Sequence, residues 1–132
     1  MRKAISHTVV AAMACVAMLG AVAPPAAAGG PEVIREGACS GRSDWKLKLK
    51  EDNGRIEVEF EVDQNVVGRL WRVRIRQDGV LVFSGRRRTQ APSGSFEVRL
   101  LERNTAGTDR FVARARSLAG GETCRAGAVW NA

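Results

Sequence analysis

The sequence predicts an all-β protein built as a seven-stranded antiparallel sandwich. From Trp45 onward, apolar and polar residues alternate strictly, which is the pattern of strands with one buried face. Turn signals such as Asn53-Gly54 and Asp78-Gly79 separate the alternating runs. No segment shows a helical period with caps. An antiparallel sandwich is the natural arrangement for seven such strands in about 90 residues.

The first 28 residues have the pattern of a cleaved secretory signal peptide. Two basic residues precede an apolar run of 15 residues over 9–23, and Ala26-Ala27-Ala28 supplies a small-residue cleavage site. A membrane-spanning helix needs about 20 apolar residues, so the run suits a signal peptide better than an uncleaved anchor. We therefore expect a secreted, extracellular protein with no stable membrane insertion after cleavage.

Residues 29–132 remain after cleavage, which is enough for one domain with a modest core. Residues 29–38 begin with Gly-Gly-Pro and carry mixed charges, so we expect a flexible lead-in before a β-sandwich domain over 39–132. The remaining chain has 19 basic and 14 acidic residues once Arg2 and Lys3 are removed, a net charge of about +5. Such a balance favours an anionic partner.

Cysteine usage predicts one disulfide. Cys15 leaves with the signal peptide, so Cys39 and Cys124 are the two cysteines of the exported domain. In an oxidising compartment such a pair forms a bridge, and two free thiols are the alternative. The cysteines are 85 residues apart, so the bridge would close nearly the whole domain into one loop.

The first two strands can be aligned residue by residue. Asn53-Gly54 suits the tip of a hairpin, because a type I′ turn needs positive φ at both central residues. The alternation on either side then places lysine opposite glutamate on one face and apolar residues opposite each other on the other face. A slip of one residue would destroy both patterns. The predicted pairs are Lys50 with Glu57, Lys48 with Glu59, Lys46 with Glu61, Leu49 with Val58, Leu47 with Phe60, and Trp45 with Val62.

The third and fourth strands are predicted to form a second hairpin around Asp78-Gly79. The third strand covers about 69–76, with Trp71, Val73 and Ile75 facing inward. The fourth strand is a continuous apolar run, so its inner face is ambiguous. A tight hairpin pairs Ile75 with Val82 and places Leu81 and Phe83 outside, and Arg86-Arg87-Arg88 then begins a basic connection.

Three further strands complete the predicted sandwich. Each again alternates small or apolar residues with polar ones, and turns containing Gly107 and Gly120-Gly121 separate the last two. Their inward residues are Phe96, Val98 and Leu100 in the fifth strand, Phe111, Ala113 and Ala115 in the sixth, and Cys124, Ala126, Ala128 and Trp130 in the seventh.

From Cys39 to Trp130 the chain resembles the immunoglobulin and fibronectin type III sandwiches. The resemblance rests on the strand count, on Trp71 in the third strand, and on the corner over 104–111 before the sixth strand. The chain departs from the family where Phe111 replaces a tyrosine and where the cysteines lie at the start of the first and last strands instead of in the second and sixth. The resemblance implies that the third, fourth, sixth and seventh strands form one sheet. It also makes the cysteine pairing sensible, since the first and last strands of such sandwiches can run side by side in parallel.

Two short segments give a second resemblance. The segments GACSG over 37–41 and DWKLKL over 44–49 are similar to small exported proteins of actinobacterial type. That likeness supports the fold and implies no particular activity.

The inventory of catalytic side chains excludes several classes of site. The only histidine, His7, lies in the signal peptide, and the chain has no tyrosine. Histidine-based triads, Cys–His pairs and histidine metal sites are therefore excluded from the domain. The acidic residues lack calcium-loop spacing, and the glycines do not form a phosphate loop. We expect no catalytic residue, metal or cofactor, and therefore not an enzyme.

The outward positions of the sheet with the third, fourth, sixth and seventh strands carry seven arginines and no acid. Arginine clusters around exposed apolar groups bind planar anions and partner surfaces. The alternative is a solvated face whose arginine stems cover apolar surface. The predicted binding face contains Arg72, Arg74, Arg76, Leu81, Phe83, Arg114, Arg116 and Arg125, with Arg110 at its edge.

These observations favour a secreted, monomeric, non-catalytic binding module. Its expected partner is anionic, such as a cell-envelope polymer, an acidic protein or extracellular nucleic acid. One alternative is a secreted protease inhibitor that presents a loop over 90–95 or 104–109. A structural envelope protein with no specific ligand is the other.

Overall fold

A computed structural model describes residues 30–132 as two antiparallel sheets of four strands each. The predicted signal peptide, with His7 and Cys15, lies outside the described residues. One sheet has the order β1-β2-β3-β6 and the other β5-β4-β7-β8. The strands are β1 (Glu32–Ala38), β2 (Asp44–Asp52), β3 (Arg55–Asp63), β4 (Leu70–Gln77), β5 (Val80–Arg88), β6 (Ser95–Arg103), β7 (Thr108–Ser117) and β8 (Thr123–Asn131).

The structure has eight strands, so the expectation of seven is wrong. The additional strand is β1, which lies in the segment predicted to be a loose lead-in. It pairs antiparallel with β2, with Ile34 opposite Lys48. Only Val33 and Gly37 of β1 are even half-buried. The segment therefore lacks the alternation of a strand with one buried face, and backbone pairing to β2 holds it in place.

The hairpin of β2 and β3 has the predicted register throughout. All six predicted pairs are present, from Lys50 opposite Glu57 to Trp45 opposite Val62. Asn53 and Gly54 at its tip have φ of 50° and 79°, as the primed turn requires. Leu47, Leu49, Val58 and Phe60 are fully buried, so the apolar face of the hairpin forms one wall of the core.

The second sheet contains the four strands that the resemblance to immunoglobulin-like sandwiches assigns to it, but the register of β4 and β5 differs from the prediction. A bulge between Ile75 and Arg76 places Phe83 opposite Ile75 and Leu81 opposite Arg76. Phe83 therefore faces inward and packs against the core, whereas the tight hairpin had placed it outside. Strand β5 also continues to Arg88, where a loop was expected.

The core lies between the two sheets and contains residues of both. Phe60 of β3, Trp71 of β4 and Phe111 of β7 are its largest fully buried side chains. The rings of Trp71 and Phe96 lie 6.0 Å apart, and the Trp71 indole N–H donates to Oε1 of Gln64 at 3.0 Å. This packing fixes the strands of both sheets, and with them the side chains on the outer faces.

The predicted disulfide between Cys39 and Cys124 is present. Cys39 follows β1 and Cys124 lies in β8, so the bridge links the two sheets, and the Cα atoms are 4.3 Å apart. Next to it, the backbone N–H of Ser40 donates to the carbonyl of Thr123 at 2.8 Å. The described part of the chain contains no helix of the length and apolarity needed to span a membrane.

Asp109, at the start of β7, is a fully buried carboxylate held by hydrogen bonds. Its Oδ1 accepts from Nε2 of Gln77 at 2.7 Å and from the Thr105 hydroxyl at 2.8 Å. Its Oδ2 accepts from the Thr105 backbone N–H at 3.0 Å. Asp109 therefore ties the 104–109 corner to β4.

Replacing Asp109 with alanine is expected to lower the free energy of unfolding by about 2–4 kcal/mol, because the buried donors of Gln77 and Thr105 lose their acceptor. Urea unfolding followed by tryptophan fluorescence measures this. The control is Asp44→Ala, which removes an exposed carboxylate and should change the value by less than about 0.5 kcal/mol. Equal midpoints for the two variants would contradict the assignment.

Candidate functional site

The outer face of the sheet β5-β4-β7-β8 is covered by exposed arginines. They alternate along their strands with core residues such as Trp71, Val73 and Ala113, which fixes their outward direction. We define the arginine face by Arg72, Arg74 and Arg76 of β4, Arg86 of β5, Arg110, Arg114 and Arg116 of β7, and Arg125 of β8.

The strand register places arginine directly opposite arginine. Arg72 lies opposite Arg116 and also opposite Arg86, on either side of β4. Arg114 lies opposite Arg74 and also opposite Arg125, on either side of β7. Neighbouring strands are about 4.8 Å apart, and like charges at directly opposite positions destabilise a sheet. The face therefore holds four repulsive cross-strand pairs.

The protein supplies little to offset this repulsion. Within residues 30–132, every ion pair lies on the other sheet, and none includes a residue of the arginine face. Arg76 donates to the carbonyl of Gly79 at 3.1 Å, and this is the single side-chain hydrogen bond that the face makes to the described residues. The other guanidinium groups are left to solvent or to a ligand.

The arginines surround an open depression of about 630 Å³. Five arginines and Thr123 form its walls, while Ala115 and Cys124, whose side chains are buried, contribute backbone to its floor. A smaller depression of about 260 Å³ adjoins it and includes Arg76 and Arg110. The five arginines of the larger depression are Arg72, Arg74, Arg114, Arg116 and Arg125.

Seven of the eight predicted face residues share this outer face, and Phe83 does not. Leu81 remains outside, opposite Arg76 at the edge. Phe83 turns inward, and the guanidinium of Arg87 stacks over its ring at 4.9 Å from the centroid. Arg86, predicted to lie in a loop, joins the face opposite Arg72. The sequence of β5 gives no signal for either change, because its four apolar residues and its three arginines each follow one another without alternation.

The opposite sheet carries mixed charges that pair with each other. Lys48 lies 3.1 Å from Glu59, and Arg99 lies 2.8 Å from Glu59. Lys50 is opposite Glu57 as predicted, but the Glu57 carboxylate lies 3.9 Å from Arg99. The two outer faces of the same sandwich therefore differ, because one neutralises its charges internally and the other does not.

Burial raises the pKa of Glu59, but the hydrogen bond from Lys48 and the charges of Lys48 and Arg99 outweigh it, so the pKa lies below 4.5. A carboxylate with a lowered folded-state pKa stabilises the protein above its unfolded-state pKa, and this contribution is lost as the pH falls. The stability advantage of the native protein over Glu59→Gln should therefore be largest near neutral pH and shrink below pH 4.5. Urea unfolding midpoints of the native protein and of Glu59→Gln, measured across this pH range, test the expectation. A difference between the two midpoints that does not change with pH would contradict it.

The chemistry available on the arginine face is anion binding. Guanidinium groups donate paired hydrogen bonds to the oxygens of phosphate, sulfate or carboxylate and stay charged at all physiological pH values. Within residues 30–132, no three side chains of His, Cys, Asp or Glu come together as a metal site. Comparison of the chain with known protein families, with curated proteins and with solved structures finds no match.

Proposed function

We propose that the protein is a secreted, non-catalytic binding module that holds an anionic polymer on its arginine face. The observation that carries this proposal is the set of opposed arginines, such as Arg72 with Arg116 and Arg74 with Arg114, that no carboxylate neutralises. The repulsion within these pairs destabilises the folded protein, and a bound polyanion would reduce that repulsion.

The proposed fold is an immunoglobulin-like sandwich with one added strand. If β2 to β8 are labelled A to G, the two sheets read A-B-E and D-C-F-G, with β1 added beside A. This differs from the constant-type immunoglobulin order in the placement of the D strand beside C. In such a sandwich the D-C-F-G sheet is a broad surface, and here it carries the arginine face.

A repeating polymer suits this surface better than a single anion. The arginines are spread over four strands, so one small anion can contact only a few of them. A chain of anionic groups can engage several arginines at once, and each further contact adds affinity. The depression of about 630 Å³ is open and lined by five arginines, so several anionic groups of one polymer can approach them together.

The absence of stacking residues favours an envelope polymer or an acidic protein over single-stranded nucleic acid. Proteins that bind single strands place bases on exposed aromatic rings. All seven aromatic side chains of the chain lie between residues 45 and 130, and none lies on the arginine face. Phe83, which was expected there, faces the core. Recognition on this face is therefore by charge and spacing.

Sedimentation of the purified protein with anionic cell-envelope polymer, at about 50 and about 500 mM salt, tests the proposal, because binding through released counterions weakens steeply with salt. The protein should sediment with the polymer at the lower salt concentration and stay in solution at the higher one. An uncharged polysaccharide is the control and should leave the protein in solution at both. If the protein sediments with the polymer at neither salt concentration, the arginines are solvated surface residues and the proposal is wrong.

A further inference from the structure

The free edge of β8 is an unpaired stretch of backbone. Ser117 donates its backbone N–H to the carbonyl of Glu122, and Ala132 donates to that of Gly107, at the two ends of the β7–β8 ladder. Hydrogen-bonded positions alternate along an antiparallel ladder, so the β8 residues bonded to β7 are the even-numbered ones. The N–H and C=O groups of Arg125, Gly127 and Val129 therefore point away from β7. We call these groups the β8 edge.

One end of this edge is already closed by the chain itself. Thr123 donates its N–H to the Ser40 hydroxyl at 2.9 Å, and its carbonyl accepts from the Ser40 N–H at 2.8 Å. Beyond this point β1 lies close to β8 without pairing to it, and no backbone group within residues 30–132 hydrogen-bonds to the β8 edge. An open depression of about 310 Å³ lies beside it, lined by residues 126–129 of β8, by Phe111 and Val112 of β7, and by three arginines. Ser40 thus begins a strand-like pairing that another chain could continue.

Three of the features that often protect an edge strand are missing from β8. Exposed edges are usually shielded by lysine, by proline or by a bulge. The β8 sequence contains no lysine and no proline, and its register with β7 is unbroken. At its middle is Gly127, where no side chain shields the backbone. By contrast, the edge strand β5 has a bulge beside Arg76.

The charges around the edge select the kind of partner. Arg125 lies on β8 itself, and Arg110 lies opposite Val129 on the outer face. Arg35 of β1 lines the same depression from the other side. An added strand would place alternate side chains beside each group of arginines. A second copy of this chain would bring the same positive charges together, whereas acidic side chains would neutralise them.

We propose that the β8 edge binds an extended acidic peptide segment by strand addition. Backbone hydrogen bonds to Gly127 and Val129 supply the pairing, and glutamates or aspartates at alternate positions meet Arg110 and Arg125 on the outer face. This site lies beyond the arginine face, since it depends on backbone groups that a flexible polyanion does not need. The two sites share Arg110 and Arg125.

A synthetic peptide of alternating valine and glutamate tests the proposal. Two analogues with the same charge carry N-methyl groups on their backbone nitrogens, one at the odd residues and the other at the even residues. Because backbone N–H groups point alternately to the two edges of a strand, only one analogue loses the N–H donors that face β8. The parent peptide should bind, one analogue should bind at least tenfold more weakly, and the other should bind like the parent. The amides of Gly127 and Val129 should also become protected from hydrogen exchange.

A protein variant gives an independent measurement. Gly127→Pro removes one free N–H of the β8 edge and no hydrogen bond to β7. It should therefore lower the affinity for the parent peptide at least tenfold. Its binding to anionic polymer through the arginine face should stay within about twofold. Equal binding of all three peptides would show attraction by charge alone and overturn the proposal. Dimerisation through β8, seen by sedimentation without peptide, would overturn it in favour of a second copy.

Discussion

Replacing Arg72, Arg74, Arg114 and Arg116 with glutamine is expected to weaken binding to an anionic polymer at least about 100-fold at about 50 mM salt. These residues form the two directly opposed pairs in the middle of the sheet and line the depression of about 630 Å³. Each arginine that contacts the polymer releases about one counterion, so the loss of four contacts removes most of the salt-dependent free energy of binding.

The salt dependence should change together with the affinity. In the native protein, the logarithm of the binding constant should fall linearly with the logarithm of salt concentration. In the four-arginine variant the slope should be shallower by about 3–4, since each lost contact removes slightly less than one unit. Binding isotherms at four or five salt concentrations measure both quantities. An unchanged slope would exclude the arginine face as the contact surface.

A matched variant on the opposite sheet controls for net charge. Replacing Lys46, Lys48, Lys50 and Arg99 with glutamine removes the same number of positive charges. Three of these side chains already pair with glutamates in the structure. This control should therefore keep most of the affinity and the salt slope. A loss equal to that of the four-arginine variant would mean that the polymer responds to net charge and not to the arginine face.

The four-arginine variant should also remain folded, which makes its loss of binding interpretable. Arg72 and Arg74 face Arg116 and Arg114 across the strands, and removing such like-charge pairs relieves a few tenths of a kcal/mol each. The melting temperature should therefore equal or exceed that of the native protein. Proteins often keep residues that bind a ligand even though the same residues lower the stability of the fold.

Local sequence patterns were enough to predict the first hairpin and the outward direction of most arginines. The register of β2 and β3 follows from Asn53-Gly54 and from the alternation on both sides of it, because a slip would bury lysine and glutamate. The same argument places Arg72, Arg74 and Arg76 outside, since they alternate with residues that fill the core.

The sequence was a poorer guide where backbone pairing, and not burial, determines the structure. Strand β1 has few buried side chains, so nothing in its pattern marks it as a strand. In β5 the apolar residues run continuously, so the alternation cannot show which of them faces inward. A bulge decides the matter by moving Phe83 opposite Ile75, and no residue there signals a bulge. The β8 edge likewise emerges only once the strand order is known.

The disulfide is expected to make the largest single contribution to stability. Cys39 and Cys124 are separated by 85 residues and join the two sheets. A bridge that closes so long a loop restricts the unfolded chain by about 4–5 kcal/mol in the loop-entropy description. Without it, the nearby links between the sheets include the hydrogen bonds of Ser40 with Thr123 and of Ser43 with Glu122.

The Cys39→Ala/Cys124→Ala variant should therefore melt roughly 15–25 °C below the native protein, since each kcal/mol shifts the melting temperature of a domain of this size by about 4–5 °C. Calorimetry with and without a thiol reductant measures the effect. Reductant should lower the native melting temperature towards that of the variant and leave the variant unchanged, which separates loss of the bridge from loss of cysteine packing. If the native protein melts at the same temperature with and without reductant, the bridge does not stabilise the fold, and the packing between the sheets holds the β1–β8 side together.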